Sequence, residues 1–346
     1  MIREAIAHLV AGQSLSEAEA AEAMEEIMTG MATPSQLGAF LTALRLKGET
    51  VEEVAGLARV MREQAVYVPL ASSVRAVDTC GTGGDASGTF NISTAAGLLT
   101  AALGTPVAKH GNRAATSRCG SADVLEALGV KLELGPEQVA QCVEQVGFGF
   151  MFAPTYHPAM RHVGPTRREI GIRTIFNILG PLTNPARVRY QVLGVPDPKL
   201  LRLMGEALLR LGGARALIVH GEDGVDEISL AGPTRICEVD GAIGTLREYT
   251  ITPEDVGCTT APREAVLGGD AQQNATLLRG LLNGTVGGAP ADMVALNAGA
   301  ALYVTGRAES LADGVRQARA GLSKGHGAAT LETLATLTQR LGATVA

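Results

Sequence analysis

A chain of 346 residues that is 46% apolar has ample material for a large core, and its length fits two domains or one large α/β domain with an appendage. Aromatic residues contribute only 3%, with no Trp, while 43 glycines point to small aliphatic side chains and close backbone approaches. A formal net charge of −6 argues against a general nucleic-acid surface, so any phosphate site must be a local basic concentration in an acidic protein.

The N-terminal MIREAIAHLVAGQ has a short apolar run broken by Glu4, which is not the pattern of a signal peptide. The first 66 residues then read as helices with repeated start signals. Ser16 with Glu19, Thr33-Pro34 with Gln36, and Thr50 with Glu53 each match a capping box, and Gly30 and Gly48 stand where helices should stop. Leu37, Phe40, Leu41 and Leu44 recur at helical spacing and should bury one stripe. This predicts a small all-helical unit.

From about residue 74 the texture changes to alternation. Candidate strands are VRAVDT, PVAKHG, VKLEL, FGFMFAP, YQVLGVP and RALIVHG. The helical stretches between them are STAAGLLTAALG, SADVLEALG, PEQVAQCVEQVG and KLLRLMGEALLRLGG. Such alternation predicts parallel strands with helical crossovers. Residues 86–108 carry no formal charge, but Asn91, the hydroxyl residues, the glycines and Pro106 favour a buried helix and strand over a membrane span. The segment YHPAMRHVGPTRREIGIRTIFNILGPLTNP interrupts the alternation with a helix signal from Thr166 to Glu169 that Pro181 and Pro185 terminate. It reads as an excursion back to the helical unit. The tail from about 271 returns to Ala-, Leu- and Gly-rich helices.

Four stretches carry chemistry. In DTCGTGGDASGTFNIST (78–94), glycines at 81, 83, 84 and 88 let backbone N–H groups approach an anion, and the helix start near Asn91 adds favourable partial charge. Ser93 and Thr94 add hydroxyl donors. Neither GxxxxGK[ST] nor GxGxxG fits, and a structural turn remains open for this loop alone. In KHGNRAATSRCGSAD (109–123), Lys109 and Arg113 supply charge, and Asn112, Thr116, Ser117 and Ser121 supply neutral donors after a strand, which suits phosphate. A solvated loop is the alternative. In HGEDGVDEISL (220–230), Asp226 and Glu227, with Glu222 and Asp223 nearby, suit Mg2+ or a solvated acidic turn. Arg167, Arg168 and Arg173 offer a fork for a carboxylate, with one of the three expected to face the cleft. LGGDAQQNAT (267–276) repeats the GGD triplet without a neighbouring Lys or Arg and reads as a helix start.

Cys80, Cys119, Cys142, Cys237 and Cys258 have no CxxC or zinc-ligand spacing and fit reduced thiols in a cytoplasmic protein. Without a close Cys–His pairing, Cys80 and Cys119 read as small buried residues rather than nucleophiles.

In this order GTGGD, NIST, KHGNRAATS, GIRTIFNILGPLTNP and the DE of DGVDEIS resemble the anthranilate phosphoribosyltransferase family over nearly the whole chain. The resemblance implies an α/β fold class in two parts. A small helical domain (1–70, joined by an excursion at about 160–188) would accompany a larger α/β domain (71–159 and 189–346) with a mostly parallel central sheet. The active cleft would lie at their hinge. It implies Mg2+ as cofactor, 5-phosphoribosyl diphosphate and anthranilate as substrates, a homodimer through the helical domain, and no nucleic-acid or membrane partner. Carried over by motif, the phosphoribosyl-diphosphate contacts are Gly81, Gly84, Asp85, Thr89, Asn91, Ile92, Ser93 and Thr94 in the first loop. The second clamp gives Lys109, His110, Gly111, Asn112, Arg113, Ala114, Ala115, Thr116 and Ser117, with Ser121. Ser93, Asp226 and Glu227 match the magnesium positions, and Gly81, Asn112 and Arg167 match the anthranilate contacts. No dedicated acid or base is expected, and His110 is the one candidate for such a role.

The nearest competing family is pyrimidine nucleoside phosphorylase, which shares a KH-containing loop but would not need the Asp-Glu pair. A non-catalytic nucleic-acid-binding relative of the fold is a competitor from another class, and the acidic balance counts against it.

Overall fold

The structure is a computed structural model that describes every residue except 86, 115–117 and 344–346. The chain begins with α1 (Ile2–Val10), α2 (Glu17–Met28), α3 (Pro34–Lys47) and α4 (Val51–Glu63). All three expected capping boxes form, at Ser16, Thr33 and Thr50. Gly48 ends α3 at φ 88°, a conformation that strains any residue with a Cβ. Glu53 does more than cap. It is fully buried, accepts from Leu15 N–H at 2.9 Å and pairs with Lys47 at 2.9 Å, so its charge is compensated inside the unit. Leu37, Phe40, Leu41 and Leu44 are buried as their spacing required.

The α/β part opens with β1 (Val77–Gly81), α5 (Ile92–Ala102), β2 (Val107–Gly111), α6 (Ser121–Ala127), α7 (Pro136–Val146) and β3 (Phe148–Phe152). The excursion contains α8 (Ala153–Tyr156), α9 (Gly164–Ile170) and α10 (Phe176–Leu179), with 3-10 turns at Pro158–His162 and Gly180–Leu182. After it come β4 (Tyr190–Gly194), α11 (Leu200–Arg210), β5 (Arg215–Gly221), β6 (Thr234–Asp240) and β7 (Thr245–Ile251). Four C-terminal helices follow: α12 (Ala271–Leu282), α13 (Ala289–Val304), α14 (Leu311–Ser323) and α15 (His326–Ala343).

One seven-stranded sheet has the order β3-β2-β1-β4-β5-β6-β7, parallel as far as β5 and antiparallel beyond. Two expectations need correction. VKLEL is not a strand. Val130, Leu132 and Leu134 are buried and alternate with exposed Lys131 and Glu133, but Lys131 N–H donates to the Thr338 hydroxyl of α15, so the period of two marks a chain lying on a helix. TRICEVD and TLREYTI, absent from the expected strands, form the antiparallel edge; on β7 most residues stay exposed, so no apolar run advertises it.

Side chains alternate between two cores. Val77, Val192, Leu217 and Val219 face α5, α7 and α12–α15, whereas Cys80, Leu193, Ile218 and Val239 face α11 and the helical unit. Val163, Ile175, Phe176, Leu179 and Leu182 of the excursion join that second core, which returns the segment to the helices. Within the uncharged stretch, residues 87–108 resolve into loop, α5 and β2. No helix among the described residues is long and apolar enough to cross a membrane.

Candidate active site

Strand order reverses between β1 and β4, since β2 and β3 extend one way from β1 while β4 and β5 extend the other. The carboxyl ends of strands at such a switch point open a crevice. The register pairs Gly81 with Gly194 there. Both are glycine for one reason. A Cβ on Gly81 would lie 2.3 Å from Asp226 Oδ2, and one on Gly194 would lie 1.5 Å from Asp226 O. The loop after β5 is therefore seated directly on the switch point.

The first loop is built to leave donors free. Gly83 and Gly84 both have positive φ (67° and 76°), and Gly83 N–H donates to Asp226 Oδ2 at 2.8 Å. Among the described residues, Gly84 N–H, Asp85 N–H and Thr94 N–H find no acceptor. Asp85 accepts from Ser87 N–H, and the Ser87 and Thr89 hydroxyls lie 3.1 Å apart. Ile92 is a core residue by its side chain and can offer only backbone. Ser93 is the crossroads: its N–H donates to Glu227 Oε1 at 3.1 Å and its hydroxyl accepts from Lys109 Nζ at 3.2 Å. The Thr94 hydroxyl is buried with no partner among the described residues. Asn91 does not cap α5 with its side chain. It donates to Cys119 O at 3.0 Å and so ties the first loop to the second.

In the second loop Lys109 is buried, with Nζ on Thr79 O and the Ser93 hydroxyl. Gly111 admits no side chain, because a Cβ would meet the Ser121 hydroxyl at 2.3 Å. That hydroxyl donates to Asn112 O, and the Asn112 amide oxygen accepts from Arg113 N–H at 2.7 Å. Arg113 stands apart from the rest of the loop. Its guanidinium turns outward to Asp123 (3.0 Å) and Glu126 (2.8 Å) of α6 and stacks on Phe152, so its charge is spent away from the crevice. Ala114 N–H donates to Asp123 as well. Ala115, Thr116 and Ser117 lie outside the described residues.

Asp226 and Glu227 open onto the crevice yet are closely surrounded. Burial and then the Asp85 charge push Asp226 up to about 7, and burial and then Asp226 push Glu227 well above the usual carboxylate range. Asp85, Asp226 and Glu227 thus crowd negative charge around free N–H donors with Lys109 as the counter-charge. A hard cation would relieve them. No three acidic, His or Cys side chains among the described residues form a complete ligand set. Mg2+ commonly keeps waters and substrate oxygens and takes only one or two carboxylates.

Across the crevice, Arg167 of α9 is half-buried over the Phe176 ring, 5.4 Å from its centroid, and has no carboxylate partner among the described residues. Burial lowers its pKa. Arg168 is exposed. Arg173 donates to Gly84 O at 2.9 Å and Gly83 O at 3.3 Å. His110 contacts Gly180 O through Nδ1 at 3.2 Å and lies 4.9 Å from the ring of His157. Burial and the neighbouring His157 push His110 down to about 3, and burial pushes His157 down to about 4, so both are neutral at pH 7.

Sequence reasoning missed Asp78, Asn184 and His157. Asp78, fully buried in β1, accepts from Asn184 Nδ2 (2.8 Å) and His110 N–H (3.3 Å), and Asn184 also donates to Ala108 O. A lone carboxylate in an otherwise apolar strand was the available signal. The second GGD segment does start α12, with Asp270 as its cap, but it also braces the first loop. Gly268 N–H donates to Gly88 O at 2.8 Å, and Asn274 donates to Asn91 at 2.9 Å. Burial pushes the Cys119 thiol up to about 11 and Cys80 well above its ordinary value, so neither is a ready nucleophile.

Fold and crevice together are those of a two-domain glycosyl transferase. Residues 3–65 match the glycosyl transferase family helical bundle domain, and residues 73–328 match the glycosyl transferase family a/b domain. The chain is 55% identical to the anthranilate phosphoribosyltransferase of Roseiflexus sp. (strain RS-1), covering 98% of both chains. It is 57% identical to that of Chloroflexus aggregans over 94% of both. Among solved structures, anthranilate phosphoribosyltransferase from Thermus thermophilus superposes with a TM-score of 0.92 at 49% identity, covering 97% of this chain and 99% of that one. The Saccharomyces cerevisiae enzyme in complex with PRPP and Mg gives 0.89 at 25% identity, covering 98% of each. The chain belongs to the anthranilate phosphoribosyltransferase family and is a transferase.

Proposed function

We propose that this chain transfers the 5-phosphoribosyl group from 5-phosphoribosyl diphosphate to the amine of anthranilate, yielding N-(5-phosphoribosyl)anthranilate and diphosphate in tryptophan biosynthesis. The observation that carries this reading is the switch-point crevice, where free N–H donors and Lys109 stand beside carboxylates whose pKa values are raised. Ser93, Asp226 and Glu227 would hold Mg2+. When bound, the ion neutralises charge that develops on the departing diphosphate.

The chain's own residues supply the rest. Gly84, Asp85 and Thr94 offer N–H groups to phosphate oxygens, preorganised because their peptide planes are already fixed. Gly81, Thr89, Asn91, Ile92 and Gly111 shape the same wall, and Lys109 places positive charge beneath it. Asn112 and Ser121, with Ala114 to Ser117, would close the second wall around the ribose phosphate. Arg113 contributes to that wall through its backbone rather than its guanidinium. Arg167 would hold the carboxylate of anthranilate, which a half-buried guanidinium without a carboxylate of its own favours strongly. An imidazole held near 3 is a poor proton acceptor at neutral pH, so positioning and charge stabilisation carry the reaction without a dedicated base.

Residues 1–70 with the excursion 160–188 form the helical domain on this reading, and 71–159 with 189–346 form the α/β domain. Dimerisation through the helical domain is supported by Val10, Met31 and Leu46, which are 73%, 67% and 83% exposed on that unit. The free cysteines support a cytoplasmic location, and the net charge of −6 counts against a nucleic-acid partner.

Loss of anthranilate fluorescence with phosphoribosyl diphosphate tests the function directly. It should proceed with Mg2+, stop with a chelator, and slow by roughly 100-fold in kcat/KM for anthranilate in Arg167→Ala. Indifference to both the metal and the substitution would overturn the assignment.

A further inference from the structure

Arg173 is exposed, six residues beyond Arg167, and belongs to none of the site positions given by the family motifs. Its backbone is nevertheless fixed. Gly171 closes α9 in the left-handed region at φ 66°, and buried Thr174 donates through its N–H to Asn177 Oδ1 at 2.9 Å. From this anchor the guanidinium spans the crevice, with one terminal nitrogen on Gly84 O (2.9 Å) and the other on Gly83 O (3.3 Å). A Cβ on Gly84 would lie 2.1 Å from that guanidinium, so the contact itself requires glycine.

In a trans peptide, C=O and the following N–H point in opposite directions. Holding the carbonyls of Gly83 and Gly84 on the Arg173 side therefore directs the N–H groups of Gly84 and Asp85 to the other side. Those two N–H groups have no acceptor among the described residues. Without a Cβ, the two glycines restrict these planes little by themselves, and the hold from Arg173 is what keeps the donors aligned.

We propose that Arg173 is a positioning residue that locks peptide planes 83–84 and 84–85, aiming their N–H groups at the diphosphate, and thereby ties the segment bearing Arg167 to the diphosphate loop. The proposal rests on the reading of the crevice as a phosphoribosyl-diphosphate site. Because two separate carbonyls are held by the two arms of one planar fork, lysine can replace only part of the contact.

The test compares wild type, Arg173→Ala and Arg173→Lys as full chains. Arg173→Ala should raise KM for phosphoribosyl diphosphate roughly 10-fold, and Arg173→Lys roughly 3-fold, with kcat at saturation changed less than about 3-fold in either. The thermal midpoint should stay near wild type, since the side chain is exposed. Calorimetric titration of Mg2+ with inorganic diphosphate should show the same ranking without turnover. An unchanged KM and an unchanged diphosphate affinity in Arg173→Ala overturn the proposal; if that variant does not fold, unchanged values in Arg173→Lys overturn it. A wild type that does not consume phosphoribosyl diphosphate overturns the functional reading instead, while the diphosphate titration still decides the role of Arg173.

Discussion

The triplet Gly-Gly-Asp occurs twice, at 83–85 and at 268–270, and the two copies have opposite fates. In the first, both glycines have positive φ, Asp85 turns toward a bed of carboxylates, and the N–H groups of Gly84 and Asp85 are left free. In the second, neither glycine has positive φ, and every N–H is consumed: Gly268 by Gly88 O, Gly269 by Asn274 Oδ1, Asp270 by Gln273 Oε1. Glycine content does not make an anion cradle. Unspent donors do, and they remain unspent only where something else fixes the backbone. The first copy follows a parallel strand at the switch point, and the second precedes a helix that absorbs the donors of Gly269 and Asp270 and the Asp270 carboxylate.

The strongest way to break this contrast is Gly84→Ala. It strains a left-handed position and drives a methyl group into Arg173, and should cost roughly 100- to 1,000-fold in kcat/KM for phosphoribosyl diphosphate, about 3–4 kcal/mol. Steady-state kinetics with a thermal melt separates this from unfolding. The metal separates the copies next. Asp226 has a folded pKa of about 7 against an ordinary 3.8, so its contribution to stability is fully present below 3.8 and is lost as pH rises through 7. Mg2+ with diphosphate should therefore stabilise the protein more at pH 8 than at pH 6, the gain at pH 8 reaching about 2.7 kcal/mol at 100-fold excess over Kd. Thermal melts should show that gain lost in Asp226→Asn and kept in Asp270→Asn. The smallest effect is Asp270→Ala, which removes the cap of α12 and should cost about 1 kcal/mol in denaturant unfolding while KM for either substrate moves less than about 2-fold.

Much of this was legible from local chemistry. The three capping boxes formed because each satisfies its partners within four residues, and the five parallel strands were visible because burial on both faces leaves continuous apolar runs. The loops after β1, β2 and β5 stood out because glycines, hydroxyls and carboxylates are crowded there at the ends of apolar strands. VKLEL misled because a chain lying on α15 buries every second residue as a half-buried strand does. The ion pairs of Arg113 were not legible, because nothing in its own loop says that Asp123 and Glu126, in the first two turns of α6, will meet its guanidinium.

By itself the sequence determined the helical unit, the parallel strand–helix alternation, the glycine- and hydroxyl-rich character of two loops and, through its motifs, the family. These depend on propensities and spacings within short stretches of chain. Only the tertiary structure decided which groups meet: Asp226 over Gly81 and Gly194, Glu227 on Ser93, Asn184 on Asp78, and Arg173 on the Gly83 and Gly84 carbonyls. The hydrogen-bonded pairs among these are 89 to 134 residues apart in the chain, and no local preference encodes a contact at that range. The packing of the excursion against the helical core, with the switch point of the sheet, brings them together, and that arrangement turns a glycine-rich loop into a set of aimed donors.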